Sequence, residues 1–303
     1  MAGVVQQKPI EKEYEKNPDI SPEDIKKLRE WLKTQPHLPG DKFTDLDLFI
    51  IFHCCEKSQE VSKQVLDLHY TLKTLFTTFF KDRRIDKKME FTIDKILFAA
   101  LPTPTPEGYR AAYMRLLDTD PKNFMFADSV RVFMMMFELW QLEEGTWPGF
   151  IILIDMDQAV IGHLARLELM HIRIVLYFLQ EAMLVKLKSV HFLNAPSFMD
   201  KLMMMLKPFM SKALADMVHI HQVGSDTLYK YVPKKAMPKN IGGDYKDYET
   251  IKNELLIRLK ANQKFFDEEA LRRVNQSLRP SGKATTVEDL FSIQGSFKKL
   301  DID

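Results

Sequence analysis

Cysteine is scarce: there are two in 303 residues, Cys54 and Cys55, adjacent in an apolar run. Neighbouring cysteines do not easily reach ordinary disulfide geometry, so both read as reduced packing residues in a reducing compartment. An excess of either charge is also missing, because 43 Lys and Arg stand against 42 Asp and Glu, a formal net charge of +1. That balance excludes a general nucleic-acid binder, which needs surplus cations to neutralise phosphates. Apolar stretches such as Phe150–Ile154 fall far short of the ~20 residues of a membrane span. Residues 1–15 lack the apolar core of a signal peptide, so a soluble, cytoplasmic chain is expected. There is no Gly-x-Ser-x-Gly elbow, Walker lysine loop, Gly-x-Gly-x-x-Gly turn or His-Glu-x-x-His pair, which argues against an enzyme.

What is present is enough apolar material, 46% of residues against 28% charged, to bury a large core and exclude a disordered or disulfide-held chain. Residues 1–20 read as a flexible lead-in. Ser21-Pro22-Glu23-Asp24 opens the first clear helix, with Ile25, Leu28, Trp31 and Leu32 at helical spacing, and the helical pattern continues to about residue 95. Pro102-Thr103-Pro104-Thr105-Pro106 reads as a connector between lobes. Beyond it, strands are expected at Arg110–Leu117, Phe150–Asp155 and Ser189–Asn194, and helices at Asp128–Leu142, His163–Gln180 and Ser197–Val218. The alternation predicts an α/β lobe with a mainly parallel sheet over 96–245, followed by a helical extension and tail over 246–303.

Three clusters carry candidate chemistry. Asp155 and Asp157 follow a strand at its carboxyl end, where two carboxylates can hold a divalent cation or simply cap and solvate a turn. His219 and His221 alternate on a strand and, with His191, suit either a zinc site or structural hydrogen bonding, the second being favoured because no Cys or acid completes a tetrahedral set. The third is a Met-rich stretch, Ser197–Val218, in which Phe198, Leu202, Met205, Leu206 and Phe209 fall among few charges and Pro208 interrupts the helix. Phe133, Phe137 and Trp140 add an aromatic face on an earlier helix, and Ile152 and Ile154 lie on the second expected strand. Adaptable Met side chains on so broad an apolar surface suit a cavity wall or a membrane-facing helix, as well as plain core.

Ser189-Val190-His191-Phe192-Leu193-Asn194-Ala195-Pro196 followed by Phe198, then Lys207-Pro208-Phe209 and Met237-Pro238-Lys239-Asn240-Ile241-Gly242-Gly243, resemble the CRAL-TRIO lipid-transfer family. The likeness extends upstream through Thr119-Asp120-Pro121-Lys122 and Arg131, and the helical module around Phe52-His53-Cys54-Cys55 resembles insect members related to the tocopherol and retinaldehyde carriers. The resemblance implies a helical N-terminal lobe, a βα lobe with an internal apolar pocket holding a hydrophobic small molecule rather than a cofactor or metal, and a lid helix over Pro196–Val218. Under it, Phe133, Phe137, Trp140, Ile152, Ile154, Phe192, Phe198, Leu202, Met205, Leu206 and Phe209 are the pocket and lid candidates. It also implies membrane contact, with Lys186 and Lys188 at two phosphoinositide-binding positions of the tocopherol-carrier branch and Lys207 and Lys212 on the lid. Other basic positions of that branch are Ala213, Met217, Ile50, His53 and Cys55 here, and the Glu of the phosphatidylinositol-transferring branch is Val185. The implied function is a carrier of a tocopherol, retinoid, carotenoid or other terpenoid-like lipid; the alternative is a phosphoinositide-responsive adaptor without cargo.

Overall fold

The structure, a computed structural model, describes residues 3–280, 282 and 285–291. Its first part is helical: α1 (Ile10–Lys16), α2 (Pro22–Lys33), α3 (Asp45–Cys54), α4 (Gln59–Leu75), α5 (Thr77–Phe80) and α6 (Lys87–Lys95). Side chains mark the starts. Ser21 donates its backbone N–H and its hydroxyl to Asp24 at 3.0 and 2.7 Å ahead of α2, and Thr44 and Asp47 form the same reciprocal cap on α3, each satisfying donors that the first turn leaves unpaired. Helix α3 is buried along nearly its whole length and forms the hub of one apolar cluster with Leu28, Leu32, Phe43, Leu66 and Tyr70.

The lead-in departs from expectation, because α1 is anchored. Glu13 is fully buried and accepts the backbone N–H of Thr146 at 3.1 Å, while Lys8 N–H donates to Leu142 O at 2.8 Å. A buried carboxylate needs such donors, and they fix this segment on the second lobe.

That lobe is a sheet of β1 (Ile96–Leu101), β2 (Arg110–Leu116), β3 (Phe150–Asp155), β4 (Leu187–Ala195) and β5 (Val218–Gln222), lying side by side in that order. The pairing of β1 with β2 is antiparallel and the others are parallel, as the strand-helix alternation predicts. The proline segment is a correction: it lies inside the sheet as the β1–β2 loop, where Thr105 N–H donates to Tyr109 O at 3.0 Å, so it does not separate the lobes. Crossovers run through α7 (Phe126–Glu144), α8 (Leu169–Glu181) and the pair α9 (Met199–Leu206) and α10 (Lys212–Asp216). The single kinked helix expected over Ser197–Val218 is thus two helices, a 3-10 turn at Lys207–Phe209 and the first residue of β5. Pro208 has no N–H to continue α9, and Ser211 recaps the chain by accepting Leu214 N–H.

Strand side chains alternate between two faces. Ile96, Phe98, Met114, Ile152, Ile154, Val190 and Phe192 face the crossover helices. Leu97, Ala99, Ala111, Tyr113, Ile151, Leu153 and Leu193 face Leu228, Val232, Ala236 and Met237 of a segment that returns beneath the sheet. Finally α11 (Tyr248–Ala261) packs beside β1, and α12 (Gln263–Glu269) reaches the first lobe. There Lys73 and Arg83 pair with Glu138 at 2.8 and 2.6 Å and also with Glu269. Burial opposes the Glu138 charge, but Arg83 and Lys73 overcome it and hold the carboxyl at about 2. Burial lowers Lys73 to about 7. The two lobes and the C-terminal helices are therefore joined through buried charge whose partners satisfy one another.

Candidate functional site

Between the sheet and its crossover helices lies a cavity of about 300 Å³. Its floor is Ile96, Phe98, Met114, Leu116, Ile152, Ile154, Val190 and Phe192. Its walls are Ser129, Val130, Phe133 and Met134 from α7 and Ile172, Val175, Leu176 and Leu179 from α8, and its cover is Phe198, Leu202, Leu206, Met210 and Leu214. The wall is almost wholly carbon and sulfur. A dry cavity of this kind holds no water in stable hydrogen bonds and exchanges its emptiness for an apolar guest.

Of the eleven pocket and lid candidates, Phe133, Ile152, Ile154, Phe192, Phe198, Leu202 and Leu206 stand in this wall. Phe137 and Trp140 do not. They lie one and two turns further along α7, past the end of the cavity, and pack against Trp147 and Phe150 with ring centroids 4.7–6.1 Å apart. Met205 and Phe209 are half-buried on the cover without lining the space. They sit where the helix turns its side face outward and where the 3-10 turn redirects the chain. Sequence reasoning passed over the α8 contribution, although Ile172, Val175, Leu176 and Leu179 recur at spacings of three, one and three within the helix it expected.

A polar side chain ties the cover to α8. Gln180 on α8 donates from Nε2 to Phe209 O at 3.0 Å and accepts Ser211 N–H at Oε1 at 2.6 Å. It clasps the junction between α9 and α10 without burying charge. Val160 and Ile161, which follow the wall residue Ala159, Leu169 and Met170 at the start of α8, and Met204 on α9 are exposed, Met204 at 73%.

The acidic pair is committed elsewhere. Asp155 is buried and accepts from Tyr113 Oη at 2.5 Å, Arg115 Nη1 at 3.0 Å, Asn194 Nδ2 at 2.8 Å and its neighbour Asp157 N–H at 3.0 Å. Arg115 also pairs with Asp157. Burial works against the Asp157 charge, yet the guanidinium more than offsets it and lowers its titration below the usual carboxylate range. The histidines do meet, on the opposite face of the sheet. His191 Nδ1 is 2.9 Å from His221 Nε2, Ser189 Oγ is 2.7 Å from His191 Nε2, Thr227 Oγ1 is 2.6 Å from His221 Nδ1, and the His191 and His219 rings stack at 4.8 Å. The hydrogen-bonding reading of the sequence fits these contacts. Among the described residues no cluster of three His, Cys, Asp or Glu is arranged to hold a metal ion, and no helix is long and apolar enough to cross a membrane.

The four lysines fall in two places. Lys186 and Lys188 stand at the start of β4, where Lys186 pairs with Glu56 at 3.0 Å and the Lys188 ammonium sits 5.7 Å over the Tyr109 ring. Lys207 and Lys212 are exposed on the cover. Next to the first pair, burial and then the charges of Lys186 and Lys16 lower His53 to about 4. Cys54 and Cys55 are unbridged, and burial pushes the Cys54 thiol well up, so neither is a ready nucleophile.

Residues 96–243 match the CRAL/TRIO domain, and residues 17–89 match the Pinta-like UBA domain. Similar curated proteins include the alpha-tocopherol transfer protein-like protein of Mus musculus, 20% identical over 239 residues that cover 78% of this chain and 69% of that protein. Clavesin-1 of Xenopus laevis is 21% identical over 242 residues, 78% of this chain and 72% of its own. Among solved structures, the crystal structure of Sfh5 aligns over 92% of this chain and 99% of that chain, with a TM-score of 0.45 and 10% identity.

Proposed function

We propose, for a chain whose residues 96–243 match the CRAL/TRIO domain, a carrier that encloses one small, largely apolar molecule and releases it at a membrane when the cover opens. The observation that carries this reading is the cavity of about 300 Å³ with its carbon-rich wall. It is of a size for a terpenoid-like molecule such as a tocopherol, retinoid or carotenoid fragment. Enclosing ~400 Å² of ligand surface at ~25 cal/mol/Å² is worth roughly 10 kcal/mol before ordering costs, ample for retention in a closed site.

Release then depends on the cover. Phe198 at the start of α9 and Leu202 and Leu206 within it turn inward while Met204 faces out, and Val160, Ile161, Leu169 and Met170 are further exposed apolar side chains. A membrane interface accepts both these side chains and the inner face of α9, which stabilises the open form. Lys207 and Lys212 on the cover add on the order of 1 kcal/mol each at an anionic surface. Lys186 and Lys188, near Lys16 and Lys57, are the candidate phosphoinositide contacts. The protein in this reading is cytoplasmic, transiently membrane-bound, without cofactor and without a catalytic step.

The test is transfer. Protein charged with a fluorescent isoprenoid is mixed with acceptor vesicles of phosphatidylcholine, with and without phosphatidylinositol bisphosphate, and the rate of fluorophore arrival is followed. We expect transfer by the wild type and a several-fold faster off-rate in Gln180→Ala, which loses both clasping hydrogen bonds. Failure of any apolar probe to occupy the cavity, together with tight binding of the cargo-free protein to phosphoinositide vesicles, would replace the carrier with an adaptor.

A further inference from the structure

The cavity wall contains four residues with hydrogen-bonding side chains, Arg115, Ser129, Asp155 and His163. Three are satisfied by protein. Arg115 and Asp155 bond each other, and the Ser129 hydroxyl donates to Met125 O at 2.8 Å. His163 is different. It is 5% exposed, on the 3-10 turn Ile161–Arg166 that also sends Leu164 into the wall. Its Nδ1 is turned back onto Val160, 3.0 Å from the backbone N and 3.1 Å from the carbonyl O. The ring meets Phe124, another wall residue, in a T-shaped contact at 5.6 Å. On the far edge of the ring, Nε2 is buried and has no hydrogen-bond partner among the described residues.

A polar atom stranded in an apolar wall is unfavourable, and native structures rarely tolerate one unless something else satisfies it. Here the empty space beside it belongs to the ligand. We propose that His163 Nε2 is the polar anchor of the cavity and selects an apolar ligand bearing a single hydroxyl, whose oxygen is held at the end of the cavity beyond β3. This deepens the carrier reading and rests on it. A hydroxyl fits better than a carbonyl or an ether because it both donates and accepts. It therefore pairs with Nε2 whichever way the Val160 backbone sets the imidazole tautomer, whereas a carbonyl pairs only with Nε2–H. Among the described residues the rest of the wall offers no second free partner, so a diol, a carboxylate or a phosphorylated headgroup would carry unpaired polar atoms into the cavity and be rejected.

The experiment compares farnesol with the triene in which hydrogen replaces its hydroxyl, each displacing an environment-sensitive fluorophore from the cavity. Wild type should prefer farnesol by about ten-fold, the size of one neutral hydrogen bond. In His163→Leu the preference should be lost and turn toward the triene, because the farnesol hydroxyl is then buried without a partner, with the triene's affinity kept within about two-fold, while His163→Gln, which retains a donor and an acceptor, should keep part of it. His163→Phe serves the same purpose if the Leu variant does not fold. A merely structural role would move both ligands together and leave the ratio alone. A wild-type ratio near one, or a ratio unchanged in His163→Leu, overturns the anchor while leaving the carrier intact. Binding of neither ligand overturns the carrier first, and the anchor with it.

Discussion

The two faces of the one sheet are built to opposite ends from the same alternating strands. On one face Val190, Ile152 and Phe192 look into space roofed by helices. On the other, Leu153 and Leu193 meet Val232, Ala236 and Met237, which are all fully buried. The fit there is close enough that a Cβ at Gly243 would lie 1.8 Å from Met237 O, so only glycine is tolerated. The second face also buries polar groups, the stacked histidines and the Tyr113–Asp155 bond, all of them paired. One face thus leaves contacts unmade around the cavity, and the other fills them among the described residues.

The distinction can be broken most forcefully from the packed face. Met237→Ala should cost about 3 kcal/mol of folding stability, the usual price of emptying a filled core site, while leaving farnesol affinity of the folded fraction within about two-fold; urea unfolding with a parallel titration measures both. A cost below about 1 kcal/mol would mean that this face is no tighter than the other. Val190→Trp on the cavity face should do the reverse. Affinity for apolar probes should fall about 100-fold, or about 2.7 kcal/mol, with midpoints of unfolding preserved, since the indole occupies space that is already empty. Loss of stability without loss of affinity would show the cavity to be ordinary core.

A finer contrast comes from acid. Burial, then the neighbouring His219 and His221, hold His191 at about 3, far below its ordinary value of 6.5. The groups facing it are His219, His221, Ser189 and Tyr231, with Thr227 beyond His221, so no carboxylate offsets an added proton. The unfolded chain takes up the proton first as pH falls. The stabilisation is therefore complete above about pH 6.5 and is lost progressively toward pH 3, amounting to about 2 kcal/mol by pH 5. Chemical unfolding at pH 7 and pH 5 should show that loss in the wild type and a flatter profile in His191→Gln. Equal slopes would place the acid sensitivity elsewhere in the chain.

How much of this could be read in advance depends on which signals are local. The parallel core strands were legible because apolar runs such as Phe150–Ile154 are set off by turn residues, and the cap at Ser21 marked α2 to the residue. Strand β1 was not legible: α6 passes from Lys95 into Ile96 without a glycine or proline between them. The lid was recognised as one stretch, but its division depends on Ser211 finding Leu214, a contact that spacing alone does not separate from helix continuation. Phe133 lines the cavity and Phe137 does not, a difference hidden in the sequence because a shared helix face says nothing about how far along the axis a cavity extends. His163 gave no sequence signal at all. A lone imidazole becomes notable only when one of its nitrogens is seen to be without a partner.

The order of the strands has a mechanical corollary. One margin of the sheet, β1, is flanked by α11, while the other, β5, carries exposed Ile220 and is followed by exposed Val223, at 42% and 75%. The cover is spliced between β4 and that outer margin, where β5 pairs with β4 alone, whereas β2, β3 and β4 each pair on both sides. The segment that roofs the cavity is in this sense sewn to the hem of the sheet, and most of the cavity floor lies on strands inward of that seam.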